Sequence, residues 1–150
     1  MLNWLKKLLG GNMSSLVVSE GPVWFAGQPT AEEIRDWGGK GVVLIVNSRT
    51  PEEMAGLGFD EAEVCEQAGI RYVELPIGGS HGADPQLTLM LAQLLEEVDG
   101  IVVMHCRSGM RSAHLYAAYL RHKNPDLADP FAEFGWPLGR DMALVDALTP

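Results

Sequence analysis

Two runs of this chain, Val42-Val43-Leu44-Ile45-Val46 and Ile101-Val102-Val103-Met104, are apolar at every position and rich in β-branched residues. A strand with one face in water alternates polar and apolar side chains; a run without that alternation is a strand covered on both faces. Helical signals lie between and around the two runs. Thr30 with Glu33 forms a capping box ahead of a helix reaching Trp37, which Gly38-Gly39 stops. Pro51-Glu52-Glu53 opens a helical stretch, and Asp60 to Ala68 reads as another helix closed by Gly69. Arg71-Tyr72-Val73-Glu74-Leu75 alternates as a strand, Asp84-Pro85 reads as a cap followed by proline at the first helical position, and that helix runs to about Val98. After the second apolar run, residues from Arg111 to about His122 show helical spacing at Ala113, Tyr116, Ala117 and Leu120. Alternation of this kind predicts βαβ units and an α/β fold, a central and mainly parallel sheet flanked by helices.

At 150 residues, with 47% hydrophobic and 21% charged residues, the chain has the size and composition of one globular domain. That domain is expected over residues 14–150, with Val23-Trp24-Phe25-Ala26 as a short extended run and one or two covering helices after Pro125, the last from Arg140 to Leu148. Residues 1–13 are expected to be a separate N-terminal amphipathic segment, with Gly10-Gly11 as a flexible joint. A net charge of −9 opposes long-range attraction to nucleic acid or anionic lipid. No run has the length of a membrane span and no secretory signal is recognisable, so the expected location is cytoplasmic. Two cysteines, Cys65 and Cys106, suit a reducing compartment better than a disulfide scaffold. The four histidines and the cysteines lack metal-ligand spacing, and the glycines form no dinucleotide fingerprint; no cofactor and no metal are expected.

The second apolar run delivers the chain directly to His105-Cys106-Arg107-Ser108-Gly109-Met110-Arg111-Ser112, which carries two arginines and no carboxylate. Ligands of parallel sheets bind beyond the carboxyl ends of the strands, and this segment occupies such a place. A thiol is a useful nucleophile only when its thiolate is stabilised. A helix N-terminus after Cys106, the planar guanidinium of Arg111, and a backbone nest permitted by positive φ at Gly109 would each favour an anion. Cys106 is therefore the candidate nucleophile and Arg111 the anion clamp. Arg107, Ser108, Gly109, Met110 and Ser112 are candidate anion-binding positions, with Ser112 expected to donate a hydrogen bond to the sulfur. Cys65 reads as a small core residue. His114 could border the site or sit partly exposed on its helix; Asn47 and Arg49 could line the pocket, or Arg49 could pair with Glu52 or Glu53.

The stretch His105 to Ser112 resembles the active-site loops of protein tyrosine phosphatases and rhodaneses. Together with Phe25-Ala26-Gly27-Gln28-Pro29-Thr30, Asn47-Ser48-Arg49 and Tyr72-Val73-Glu74-Leu75-Pro76, it resembles a bacterial family of dual-specificity-phosphatase-like domains associated with beta-lactamase hydrolase-like proteins, over roughly residues 23–118. The resemblance implies a phosphotyrosine-phosphatase-like fold of the dual-specificity type and a supporting role for His105 in steadying the loop.

Two features separate the chemistries the resemblance offers. Phosphatases of this kind place five residues between cysteine and arginine and rhodaneses four; here four residues separate Cys106 from Arg111. Phosphatases also use an acid to protonate the leaving oxygen. The segment after Pro76 offers only His81 and Asp84, and Asp84 has the position of a helix cap. The expectation is a sulfurtransferase forming a Cys106 persulfide, with a phosphatase working through phosphocysteine as one alternative and a non-catalytic persulfide carrier or anion-binding module as another. The expected partners are a small anionic substrate (thiosulfate, a persulfide or a phosphate ester) and a protein of sulfur metabolism.

Overall fold

A computed structural model describes residues 15–150. The amphipathic segment expected over residues 1–13 lies outside the described residues. Five strands form one sheet: β1 (Leu16–Glu20), β2 (Val23–Ala26), β3 (Val42–Asn47), β4 (Arg71–Glu74) and β5 (Ile101–His105). Their spatial order is β1-β2-β5-β3-β4; β1 is antiparallel to β2, and every other pairing is parallel. The two apolar runs become β3 and β5, adjacent at the centre. The sequence reading omitted β1, which pairs Glu20 with Val23 across the tight turn at Gly21-Pro22.

Side-chain alternation along these strands builds two cores. Leu44, Val46, Val102 and Met104 face one side with Phe25, where helices α4 (Pro85–Glu97), α5 (Met110–Lys123) and α7 (Met142–Leu148) contribute Leu91, Leu115 and Val145. Ile45, Val103 and Trp24 face the other, against Ile34 and Trp37 of α1 (Ala31–Trp37) and Val64 and Cys65 of α3 (Glu61–Gln67). Short helices α2 (Pro51–Met54) and α6 (Pro130–Phe134) complete the chain order. Both halves of the capping box at Thr30 and Glu33 are made, as they are again at Thr50 and Glu53. No described helix is long and apolar enough to cross a membrane.

What this topology does for function is to end three strands at one edge. β2, β3 and β5 run parallel in the register Ala26↔His105↔Asn47, so Gly27, Ser48 and Cys106 leave the sheet side by side. Cys106 N–H donates to Ala26 O (3.3 Å) and Ser48 N–H to His105 O (2.8 Å), extending the ladder to the base of the cysteine loop.

Candidate active site

Cys106 is buried at the end of β5, and its sulfur accepts a hydrogen bond from Gly109 N–H at 3.1 Å. Gly109 has φ +92°, a left-handed conformation that lets the chain double back over the sulfur before α5 starts at Met110. From below, Gln28 N–H donates to Arg107 O at 3.2 Å, and Gly27 bridges Ser108. A Cβ on Gly27 would sit 2.9 Å from Arg107 O, so only glycine allows β2 to approach the loop this closely. Arg107 and Ser108 are exposed at the rim, while Met110 is half-buried.

Arg111 reaches back across the site. Its Nη1 donates to Glu53 Oε1 at 2.7 Å and its Nη2 to Glu53 Oε2 at 2.9 Å; Nη1 also donates to Ile77 O at 3.0 Å. The end of the planar fork, expected to grip an anion, thus grips a carboxylate of the protein. Five N–H donors belong to a guanidinium, so Nε–H and one Nη2–H remain on its side edge, still a bidentate surface. The guanidinium is held above its ordinary value first by the Glu53 bond and further by the charge and hydrogen bonding of nearby Cys106, against desolvation. Glu53 in turn is held well below the usual carboxylate range, chiefly by the Arg111 hydrogen bond. Because the folded value is depressed, this pair stabilises the protein above the ordinary carboxylate range and is lost only as pH falls through the depressed value.

His105 is fully buried, with Nδ1 3.0 Å from Cys106 O and Nε2 2.6 Å from Glu61 Oε2. A carbonyl can only accept, so Nδ1 carries a proton; the ring and the carboxyl then share a second one between Nε2 and Oε2. The ring thereby pins the Cys106 carbonyl.

Several expectations change. Ser112 is buried in the first turn of α5, but its hydroxyl has no hydrogen-bond partner, Cys106 Sγ included; Gly109 N–H supplies the bond to sulfur instead. The Ser48 hydroxyl, beside Cys106 across the ladder, is equally buried and unpartnered. Unpaired buried hydroxyls are costly and ask for an explanation such as a bound group. His114 is buried rather than partly exposed: Nδ1 meets Met110 O at 2.6 Å and Nε2 accepts from Asp141 N–H at 2.8 Å, tying α5 to the start of α7. Asn47 holds the exit from β3, donating to Tyr72 Oη at 2.9 Å and accepting from Arg49 N–H. Arg49 pairs with Glu53 at 3.2 Å. Asp84 Oδ1 accepts from Gln86 N–H at 2.9 Å and caps α4, while His81 is exposed in the 3₁₀ turn Gly79–His81. Cys65 is fully buried, and burial first, then the Glu61 charge, push its thiol up to about 12.

Glu53 and Glu61 are the site residues that sequence reasoning missed. Each looks like an ordinary first-turn acid of a helix. Their partners Arg111 and His105 lie 58 and 44 residues away, and only the fold brings them together.

Residues 21–120 match the family model described as the phosphatase-like domain of beta-lactamase hydrolase-like proteins. Two curated relatives, the beta-lactamase hydrolase-like proteins of Xylella fastidiosa strains Temecula1 and 9a5c, are each 28% identical over 94 residues, covering 61% of this chain and 22% of theirs. The chain thus spans about a fifth of their length. Among solved structures, a putative phosphatase of Shewanella putrefaciens superposes with a TM-score of 0.68 at 19% identity, covering 95% of both chains. Kinase-associated phosphatase, solved with serine replacing its catalytic-site cysteine, gives a TM-score of 0.69 at 14% identity, covering 84% of this chain and 83% of its own. The fold is a phosphatase-like one, as expected. None of the comparisons supports sulfur transfer.

Proposed function

The chain belongs to the family of phosphatase-like domains of beta-lactamase hydrolase-like proteins; within that family we propose, from the length of its own cysteine loop, that it is a cysteine-dependent sulfurtransferase whose Cys106 carries a persulfide. The observation that carries the reading is the length of the ring: four residues from Cys106 to Arg111, closed over the sulfur by the Gly109 amide. A phosphoryl group would need three equatorial oxygens encircled by the backbone; a persulfide adds a single sulfur. The Cys106 thiolate attacks the outer sulfur of thiosulfate, the S–S bond of the donor breaks, and sulfite leaves with the electron pair. An acceptor such as cyanide then attacks the terminal sulfur, leaving as thiocyanate and returning the thiolate. No step takes up a proton, so the capping role of Asp84 is no handicap. The side edge of Arg111 and the helix N-terminus stabilise the persulfide anion.

The phosphatase-like fold favours a second reading, hydrolysis of phosphate esters through phosphocysteine, in which Asp84 or His81 would have to supply the proton for the leaving oxygen. Intact mass separates the two. Thiosulfate is expected to add one sulfur to Cys106 and cyanide to remove it, while aryl phosphate gives no turnover. Efficient aryl phosphate hydrolysis with no sulfur acquired from thiosulfate or a persulfide donor replaces the first reading with the second. A small anion is the expected ligand in either case, and a sulfur-metabolic protein is the expected partner of the first.

A further inference from the structure

We propose that Gln28 is a positioning residue that joins the nucleophile and the anion clamp into one hydrogen-bonded chain. Its side chain donates from Nε2 to Glu61 Oε1 at 2.6 Å and to Pro29 O at 3.0 Å, and its Oε1 accepts from Arg49 Nη1 at 2.8 Å. Glu61 continues through Oε2 to His105, and His105 to the Cys106 carbonyl. Arg49 continues through Nε to Glu53 Oε2, and Glu53 grips both ends of the Arg111 fork. The chain runs unbroken from the carbonyl of the nucleophile to the Arg111 guanidinium.

The polarity of each link fixes the next. Two acceptors lie on one side of the amide and a guanidinium on the other, so its orientation is dictated by its neighbours. A carboxamide suits the junction because it presents N–H to the carboxylate and C=O to the cation, adding no charge where Glu61 and Arg49 already stand. The backbone of the same residue also holds the loop, through the bond from Gln28 N–H to Arg107 O. Gln28 therefore touches the ring one residue after the nucleophile while its side chain ties together the supports of its two ends. Networks of this kind behave as units, so cutting the junction should be felt at both ends.

The inference needs Cys106 and Arg111 as the working pair, on which the sulfur-transfer reading also rests, but it is indifferent to the group transferred. The test uses no turnover: iodoacetamide alkylation of Cys106 is followed against pH, with and without sulfate, an inert analogue of both thiosulfate and phosphate, as the protecting anion. Gln28→Met keeps the length and removes every side-chain hydrogen bond. It is expected to slow alkylation at neutral pH about tenfold and to weaken sulfate protection about tenfold, both read well below a melting temperature that itself falls because buried Glu61 Oε1 loses its donor. Gln28→Glu sets a carboxylate against Glu61 and is expected to slow alkylation further, and Gln28→Glu with Glu61→Gln, which restores donor against acceptor, to recover most of that loss. If Gln28→Met leaves either readout within twofold of the parent, Gln28 does not join the two ends and the proposal fails. If Gln28→Met does not fold, the exchanged pair decides: no recovery over Gln28→Glu alone overturns it. Failure of thiosulfate to load Cys106 would remove the sulfur-transfer reading and leave these outcomes untouched.

Discussion

Cys65 and Cys106 are equally hidden from solvent, at 0% and 1% exposure, yet they inhabit opposite chemistries. Cys65 lies on α3 among Ile34, Trp37, Val64 and Val103, in the core on one side of the sheet, and nothing there favours a thiolate. Cys106 lies at the strand ends with an amide N–H on its sulfur and a guanidinium beside it. Burial alone therefore says nothing about reactivity; what counts is whether the enclosing groups are methyls or N–H donors.

The sharpest way to break that comparison is to alkylate both thiols in the folded protein. Near neutral pH, iodoacetamide is expected to modify Cys106 at least about a thousandfold faster than Cys65, whose reaction waits for the core to open. Peptide mapping by mass gives both rates, and comparable rates would sink the assignment of the nucleophile. The Cys65 thiol also has a signature at alkaline pH. Its folded value of about 12 lies above the unfolded thiol range, so its contribution to stability is complete below that range and is lost as pH rises toward 12. Denaturant midpoints are expected to fall from pH 8 to pH 10 in the parent and to fall less in Cys65→Ala.

Arg111 tests what the active-face cysteine owes to geometry rather than charge. Arg111→Lys keeps the cation but cannot hold both Glu53 oxygens, Ile77 O and an anion at once, so transfer is expected to fall by about a hundredfold, nearly as far as in Arg111→Ala. A lysine variant close to parental turnover would mean that Arg111 supplies only a positive field.

The contrast between the two cysteines also marks what the sequence could tell. The strand, Cys106, Gly109 and Arg111 fall within eleven consecutive residues of one strand-loop-helix unit, and local patterning suffices to read it. Central strands β3 and β5 were legible because a strand buried on both faces is apolar at every position before its last residue, here Asn47 and His105. Edge strand β1 was not: Leu16 and Val18 are buried, but apolar Val17 between them is only half-buried and hides the alternation. The supports of the site were not legible either. Glu53 already had a local explanation as a capping-box partner of Thr50, which it also is, and nothing local tells that the same carboxylate closes on Arg111. Gln28 likewise reads as a turn residue until the fold puts Glu61 and Arg49 on either side of it.

The smallest expected effect concerns Asp84, where a structural and a chemical role can be told apart. Its carboxylate caps α4, with Pro85 at the first helical position, and it is exposed. Loss of such a cap costs about 1 kcal/mol, whereas asparagine caps nearly as well as aspartate. Asp84→Ala is therefore expected to lower unfolding stability by about 1 kcal/mol, and Asp84→Asn to restore it. Both should leave thiosulfate-to-cyanide transfer within twofold of the parent, because that reaction asks no proton of the protein. Asparagine is the informative variant, since it keeps the cap and removes the acid. Should the parent hydrolyse aryl phosphates, and should Asp84→Asn lose that hydrolysis at unchanged stability, the carboxyl is doing proton transfer that its hydrogen bond to Gln86 N–H conceals. The loop carrying it would then have to move onto the leaving oxygen, and the phosphatase reading would displace sulfur transfer.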